Sequence, residues 1–434
     1  MRIFGNDGFR SEFGKKYMTK KFLLAFANGI ADYLSINGHA FPVLIGKDTR
    51  SSGNIIFDIV ASTLCLRGVN IINAGIVPSP GLSAILNPNR YSLGIMVTAS
   101  HNPASDNGIK IFQNTGFKLD AKNERKIEIF INSYLAGKKN IINVNLGRIY
   151  KSDEILDDYI FRIRNKYPIQ NGKNIIIDCS NGAFSITAKH ALCDFDNLEF
   201  VNDKPNGINI NHECGALKTN NILTKVKKSG FDLGVAFDGD GDRAIFVSRE
   251  YGVIETEKLI FLFSKLLSNK KNTTVSTEIC NKGLEDNFKD IGFKLIQTEV
   301  GDRNVINSVI ANDAILGAEP SGHYYFPEMS NSMDGLIALL QFMELLEFYG
   351  DSIIEVLHSL RHYKRMTSNI NVNEKTVNNI ESVRSDICSF IDGNNEKIVI
   401  RQSMWDPLIR VYYDYLNINN FDNINKLILK SLSS

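Results

Sequence analysis

In the stretch Leu233-Gly-Val-Ala-Phe-Asp-Gly-Asp-Gly-Asp-Arg243, a run of small and apolar residues gives way to three aspartates separated by glycines. The apolar half predicts a strand buried on both faces, as in a parallel sheet. The acidic half sets carboxylates at alternate positions, the donor chemistry of a hard divalent cation. Glycine lets the backbone turn tightly enough to aim all three inward. Without a cation the like charges would repel, so the turn implies one. An EF-hand does not fit: counted from Asp238, its glycine at position six and glutamate at position twelve are Arg243 and Arg249. The competing reading is a solvated acidic turn, and against it stands the buried strand immediately upstream.

The same strand-to-loop rhythm recurs outward in both directions. Pro42–Ile45, Leu93–Val97, Ile175–Asp178 and Thr274–Ser276 read as further buried strands, most of them followed by a polar or glycine-containing loop and a helix-like stretch. Phe22, Phe26, Ile30 and Leu34 recur every four residues, which predicts an amphipathic helix over 20–35. This alternation gives an α/β fold with largely parallel sheets. The segments VLIGKDTRSSG, IIIDCSNGA and TVSTEICNKG resemble one another weakly and suggest one α/β unit used three times. Polar, less patterned stretches lie near Lys138–Lys151, Ser248–Thr256 and Tyr363–Ser368. Beyond them, Asn369–Val372, Ile398–Ile400 and Leu408–Tyr413 read as strands and Asn419–Leu432 as a closing helix, a small α+β unit.

A chain of 434 residues is long enough for about three domains at the usual ~150 residues each. Its 49 basic and 48 acidic residues leave a net charge of +1, which argues against a broad nucleic-acid-binding surface. At 43% hydrophobic and 22% charged it is too apolar for a disordered chain. No apolar run approaches the ~18–20 residues of a membrane helix, and the polar start MRIFGNDGFRSEFGKK has no signal-peptide core. A soluble, cytoplasmic protein with no membrane or nucleic-acid partner is therefore expected. The six cysteines are scattered singly, so free and mostly buried thiols are expected rather than disulfides or a zinc site.

Three other loops could carry chemistry. Val97-Thr-Ala-Ser100-His101-Asn-Pro103, followed by Asp106-Asn-Gly-Ile-Lys110, empties an apolar strand into polar residues at the end where α/β proteins place ligands. Its serine could be a nucleophile or phosphate carrier. It is not the hydrolase elbow, which needs glycine where Thr98 and Asn102 stand. A polar turn punctuated by Asn-Pro is the plainer alternative. Gly317-Ala-Glu319-Pro320-Ser321-Gly-His323 offers Glu, Ser and His groups suited to sugar hydroxyls, though a turn would look the same. Arg401-Gln-Ser403, with Arg410 following, suits a phosphate dianion because guanidinium binds it bidentately; a surface turn is the alternative.

Taken together and in this order, the four loops resemble those of the α-D-phosphohexomutase family, and Gly5-Asn-Asp-Gly-Phe-Arg10 resembles its amino-terminal segment. Ile45-Gly-Lys-Asp-Thr-Arg50, Pro205-Asn-Gly-Ile-Asn-Ile-Asn211 with Cys214-Gly-Ala216, Val300-Gly-Asp-Arg303 and Asp334-Gly335 look like the branch acting on glucosamine phosphates. The resemblance implies four domains around a central cleft: α/β domains at 1–145 (serine loop), 146–250 (metal loop) and 251–366 (sugar loop), and an α+β domain at 367–434 (phosphate loop). It implies Mg²⁺ held by Ser100, Asp238, Asp240 and Asp242, and hexose 1,6-bisphosphate as phosphorylating activator. It makes Ser100 the phosphate carrier, with Arg10 supplying charge and His101 or Lys110 moving the proton. Arg243, Glu319, Ser321, His323, Arg401, Ser403 and Arg410 would bind the sugar phosphate. The implied reaction interconverts glucosamine 6- and 1-phosphates in a monomer or homodimer. The same chemistry on mannose or glucose phosphate, or an impaired relative that only binds sugar phosphate, are the alternatives.

Two loops depart from the family. The phosphate loop usually reads RxSGTEPxxR, and here Met404-Trp405-Asp406 replaces Gly-Thr-Glu. Each charge-assisted hydrogen bond lost there weakens phosphate binding by about 1.5–3 kcal/mol, while both arginines remain. Pro320 stands where the amino-sugar branch usually carries Gln, which bears on sugar specificity. Trp405 is the only tryptophan of the chain. Its fluorescence is expected to change as sugar phosphate is titrated, and a flat signal at millimolar ligand would remove this loop from the binding site.

Overall fold

The computed structural model describes residues 2–415 except 6, 39, 139–144, 153–154, 167–172, 269–270, 372–395 and 403–407; residues 1 and 416–434 also fall outside it. Eighteen strands in this part form four sheets. The first holds β1 (Phe9–Glu12), β2 (Val43–Lys47), β3 (Ile71–Ile76), β4 (Leu93–Val97), β5 (Asp106–Gln113) and β6 (Ile149–Lys151), in the order β1-β5-β4-β2-β3-β6. The second holds β7 (Ile175–Asp178), β8 (Leu198–Val201), β9 (Leu233–Phe237), β10 (Ala244–Ser248) and β11 (Gly252–Val253), in the order β11-β10-β9-β7-β8. The third holds β12 (Thr273–Thr277), β13 (Lys294–Thr298), β14 (Leu316–Glu319) and β15 (His323–Tyr325), in the order β13-β12-β14-β15.

These three sheets share one four-strand core. Its first strand (β2, β7 or β12) is central, the next two flank it in parallel, and the fourth returns antiparallel beside the third. The three weakly similar segments of the sequence mark that central strand. The serine, aspartate and Glu-Pro-Ser-Gly-His loops are then one position in three copies, the connection from third strand to fourth.

Apolar runs explain the central strands, since β4, β7 and β9 are buried at every residue. The helix Lys20–Ile36 starts where the Thr19 hydroxyl accepts from the Phe22 amide (3.3 Å), and it turns Phe22, Phe26, Ile30 and Leu34 inward. The helix Gly335–Tyr349 is apolar around most of its circumference and is buried against β10 and β15. One continuous core runs from Leu44 and Met96 in the first sheet through Phe237 and Phe246 in the second to Leu316 and Tyr324 in the third.

Polar ties reinforce this junction. Arg303 grips Glu124 with both terminal nitrogens (2.5 and 2.9 Å), joining the third unit to the first. The buried Tyr159 hydroxyl donates to Asp334 (2.9 and 3.1 Å), which caps the helix Gly335–Tyr349 through the amides of Leu336 and Ile337.

The fourth sheet, β16 (Lys364–Asn371), β17 (Lys397–Gln402) and β18 (Leu408–Tyr415), is antiparallel in the order β16-β18-β17. Asp414 binds Arg365 bidentately (2.6 and 2.8 Å) and accepts from the Lys282 amide (2.8 Å), while Lys397 reaches Glu285 (2.6 Å) and the Cys280 carbonyl (2.8 Å). The closing helix expected at Asn419–Leu432 lies outside the described residues.

The expected boundaries shift in three places. Ile149–Lys151 pairs with β3 inside the first sheet, Gly252–Val253 edges the second, and β16 already begins at Lys364 within the stretch read as unpatterned. All three are sheet-edge strands with little continuous apolar character, so hydrophobic periodicity does not reveal them. Among the described cysteines none is disulfide-bonded; Cys179, Cys214 and Cys280 are buried, whereas Cys193 is exposed. No described helix is long and apolar enough to cross a membrane.

Burial pushes Asp334 up to about 6, so ionising it costs stability as the pH rises through that value. Tyr159→Phe removes a donor to the carboxylate and raises that value further. The variant is expected to lose about 1.5–3 kcal/mol in urea unfolding, with the loss larger above about pH 6 than below it. A pH-independent loss would remove Asp334 as its cause.

Candidate active site

The strand β4 delivers Ser100 into a turn where its φ is +51°, the left-handed region that non-glycine residues rarely occupy. The Ser100 amide donates to Thr98 Oγ1 (2.9 Å), and its hydroxyl donates to Asp238 Oδ2 (2.6 Å). His101 Nδ1 lies 3.3 Å from the same hydroxyl.

From the end of β9, Asp238, Asp240 and Asp242 bring carboxylate oxygens within 4.8 Å of one another, all buried. The glycines between them have different reasons. Gly241 adopts φ +77°, while a Cβ on Gly239 would lie 2.7 Å from the Ser100 carbonyl oxygen. Both neighbouring units pin the turn, Ser79 N donating to Asp240 O (2.8 Å) and Gly335 N to Gly241 O (3.1 Å), while Ala183 N of the same unit donates to Gly239 O (2.9 Å).

Burial, then the neighbouring Asp242 and Asp240, push Asp238 up to about 7. Lys110 provides part of the counter-charge. Its ammonium lies 2.6 Å from Asp242, 2.7 Å from Asp240 and 2.9 Å from Asp7. Burial opposes the charge on Lys110, but these carboxylates hold it protonated, well above the ordinary lysine value. Burial also acts to raise Asp242, and Lys110 with His323 more than reverses it. Asp240 Oδ1 is buried without a hydrogen-bond partner. An orphaned carboxylate oxygen within an all-oxygen donor set fits a hard divalent cation.

The β14–β15 hairpin joins this centre directly. Ala244 N donates to Gly322 O (2.9 Å), and Arg243 pairs with His323 across an isolated bridge. His323 lies 3.2 Å from both Asp242 and Glu319, and Ser321 Oγ is 2.9 Å from its Nδ1. Burial and Arg243 act to lower His323, yet Asp242 and Glu319 raise it to about 9. Glu319 also accepts from the Gly301 amide (2.9 Å). Arg10 comes in from β1 to the Ala99 carbonyl (3.2 Å) and to Asp7 (2.5 Å).

The structure thus brings together Arg10, Ser100, His101, Lys110, Asp238, Asp240, Asp242, Arg243, Glu319, Ser321 and His323. Arg401 and Arg410 make no described contact with them. They stand directly opposite each other on β17 and β18, and Arg410 Nε is buried with no hydrogen-bond partner among the described residues, an arrangement that favours an anion between them. Ser403 lies outside the described residues.

Sequence reasoning missed a run of alternating charges from Asp302 through Lys118 and Asp7 to Lys110. Asp7 and Asp302 sit in segments quoted only for their resemblance. Lys118 carried no signal, because it is an isolated lysine brought in by the fold.

A buried serine hydroxyl on a carboxylate trio, ringed by cations, has the make-up of a phosphoryl-transfer centre. Family models described as phosphoglucomutase/phosphomannomutase α/β/α domains I, II and III match residues 1–137, 157–252 and 255–363. A phosphoglucosamine mutase of Desulfotalea psychrophila is 32% identical over 98% of this chain and 96% of its own length. One from Thermodesulfovibrio yellowstonii is 34% identical over 95% and 94%. Among solved structures, a phosphoglucomutase/phosphomannomutase family protein from Burkholderia thailandensis superposes with a TM-score of 0.84 at 21% identity, covering 99% of this chain and 97% of its own. The Aspergillus fumigatus N-acetylphosphoglucosamine mutase, solved with GlcNAc-6P and magnesium, gives 0.66 at 14% identity, covering 100% and 95%. The chain belongs to the α-D-phosphohexomutase family, and it is an enzyme of the intramolecular phosphotransferase class.

Magnesium at about 100 times its Kd should stabilise the protein by about 2.7 kcal/mol, read as a rise in Tm. Asp240→Asn is expected to abolish the rise; an equal rise in that variant would place the ion elsewhere.

Proposed function

We propose that this enzyme interconverts glucosamine 6-phosphate and glucosamine 1-phosphate, with Ser100 as the phosphoryl carrier and a bisphosphorylated sugar between two half-reactions. The observation that carries the reading is the 2.6 Å contact from Ser100 Oγ to Asp238 inside the buried trio. The choice of an amino sugar draws on the relatives named phosphoglucosamine mutase.

Asp238, Asp240, Asp242 and Ser100 would hold Mg²⁺, which when bound neutralises charge on the transferring phosphoryl group. Arg10 and Arg243 add fixed positive charge around the same space, preorganised for the charge that develops in transfer. Burial, then Arg243 and Arg10, lower His101 to about 2, so its imidazole is neutral and only a weak base until an arriving phosphoryl dianion offsets the two arginines. Lys110 is held as an ammonium by three carboxylates, so it supplies charge rather than a base. In the forward half-reaction the Ser100 O–P bond breaks as the sugar oxygen bonds to phosphorus, and the sugar hydroxyl proton passes by way of His101 to the departing Ser100 Oγ, which lies 3.3 Å from His101 Nδ1. The second half-reaction reverses these steps on the other phosphate, after the bisphosphorylated sugar has turned end for end. Glu319, Ser321 and His323 would hold sugar hydroxyls, and Arg401, Ser403 and Arg410 the phosphate that is not reacting. Hexose 1,6-bisphosphate would load Ser100 at the start; glucose 1,6-bisphosphate is the ligand of one solved relative.

Pro320 favours a second reading, the same chemistry on a neutral sugar, because it removes a side-chain amide beside Glu319. A coupled assay on purified protein with glucosamine, glucose and mannose 6-phosphates separates the two. The glucosamine ester is expected to turn over fastest, and Ser100→Ala to lower kcat by at least about 10³-fold. Preference for a neutral sugar overturns the amino-sugar choice, and an active Ser100→Ala overturns the carrier.

A further inference from the structure

We infer that Asn211, on the second α/β unit, is a positioning residue for phosphoryl transfer at Ser100; the inference rests on Ser100 being the carrier. The Asn211 side-chain amide reaches the Ser100 carbonyl (2.8 Å) and the Asn102 carbonyl (3.0 Å). Both acceptors are carbonyl oxygens, so the group facing them is the NH₂, and both of its hydrogens are used. Arg50 Nη2 binds the same two carbonyls from the other side, at 3.1 and 2.6 Å. The Arg50 side chain is fully buried and paired with Asp48, which also accepts from the Thr98 hydroxyl (2.6 Å). Thr98 in turn accepts from the Ser100 amide.

The turn from Ser100 to Asn102 is therefore clamped at two carbonyls by one donor from its own unit and one from the next. Such a clamp has work to do, because Ser100 sits at φ +51°, a costly conformation for a non-glycine residue that persists only where neighbours over-determine it. In this turn the Ser100 hydroxyl meets Asp238 Oδ2 at 2.6 Å. The two units are stitched together beside the clamp, Thr49 Oγ1 to Asn181 O (2.6 Å) and Ser51 N to Gly207 O (2.9 Å). Gly239 leaves room for the arrangement, since a Cβ there would lie 2.7 Å from the Ser100 carbonyl oxygen and 3.1 Å from Asn211 Nδ2. Asn211 itself has φ +57°, which asparagine tolerates better than most residues. The Pro205–Asn211 segment, quoted in the sequence only as a branch likeness, thus acts on the serine turn.

Two variants test this. Asn211→Asp keeps the shape and the backbone preference but turns a carboxylate toward two carbonyls, and Asn211→Gly removes the arm while relaxing the backbone. Phosphate gain on Ser100 from glucose 1,6-bisphosphate is followed by intact mass in a single turnover, beside steady-state kcat, KM and Tm. Both variants are expected to slow phosphate gain and kcat by about 10- to 100-fold with KM for the sugar phosphate unchanged. If phosphate gain in either folded variant matches wild type, or if kcat falls only in proportion to lost folded protein, the inference is overturned. A wild-type chain that gains no phosphate overturns the carrier reading itself, and this inference with it.

Discussion

The Lys110 ammonium is the cation around which the rest of the centre is balanced. Three aspartates buried side by side repel one another, and each would cost several kcal/mol if left uncompensated. Lys110 touches two of them and Asp7, Lys118 touches Asp7, and Asp302 touches Lys118. Opposite charges alternate from the third unit through the first to the aspartate turn of the second. One positive charge offsets only part of the trio, and Asp238, which bonds Ser100 rather than Lys110, is the member pushed toward neutrality.

Repetition of one strand topology explains how such different groups meet. Each copy ends its third strand at the same rim and turns back there, so the serine, the aspartates and the Glu-His pair occupy equivalent hairpins. The scaffold brings the hairpins together, and the residues on each decide its chemistry. Backbone hydrogen bonds between hairpins, such as Ala244 to Gly322, fix their spacing without spending side chains on it.

Much of this is written locally. The buried strands are uninterrupted apolar runs, the aspartate turn has its own spacing, and the helix Lys20–Ile36 has its four-residue apolar repeat. The edge strands β6 and β11, and the first half of β16, escape because solvent on one side removes the apolar signal. Lys118 and Asn211 escape for a different reason. Each acts on a residue far along the chain: nothing near Lys118 distinguishes it from a surface lysine, and the segment ending at Asn211 shows a likeness but no role for its asparagine. Even the glycines of the aspartate turn are half legible: Gly241 answers a backbone angle, but Gly239 answers a carbonyl oxygen 139 positions away in another loop.

The fourth sheet is fastened at one end. Its described anchors, Arg365, Asp414 and Lys397, lie where Lys397 pairs with Asp414, whereas Arg401 faces Arg410 four residues along the same two strands. At about 3.4 Å per residue the guanidinium pair rides on a lever about 14 Å from its pivot, so ten degrees of tilt sweeps it through an arc of about 2 Å. That is the difference between a hydrogen bond made and one broken, so a tilt of this size at the pivot would decide whether the arginines could reach an anion.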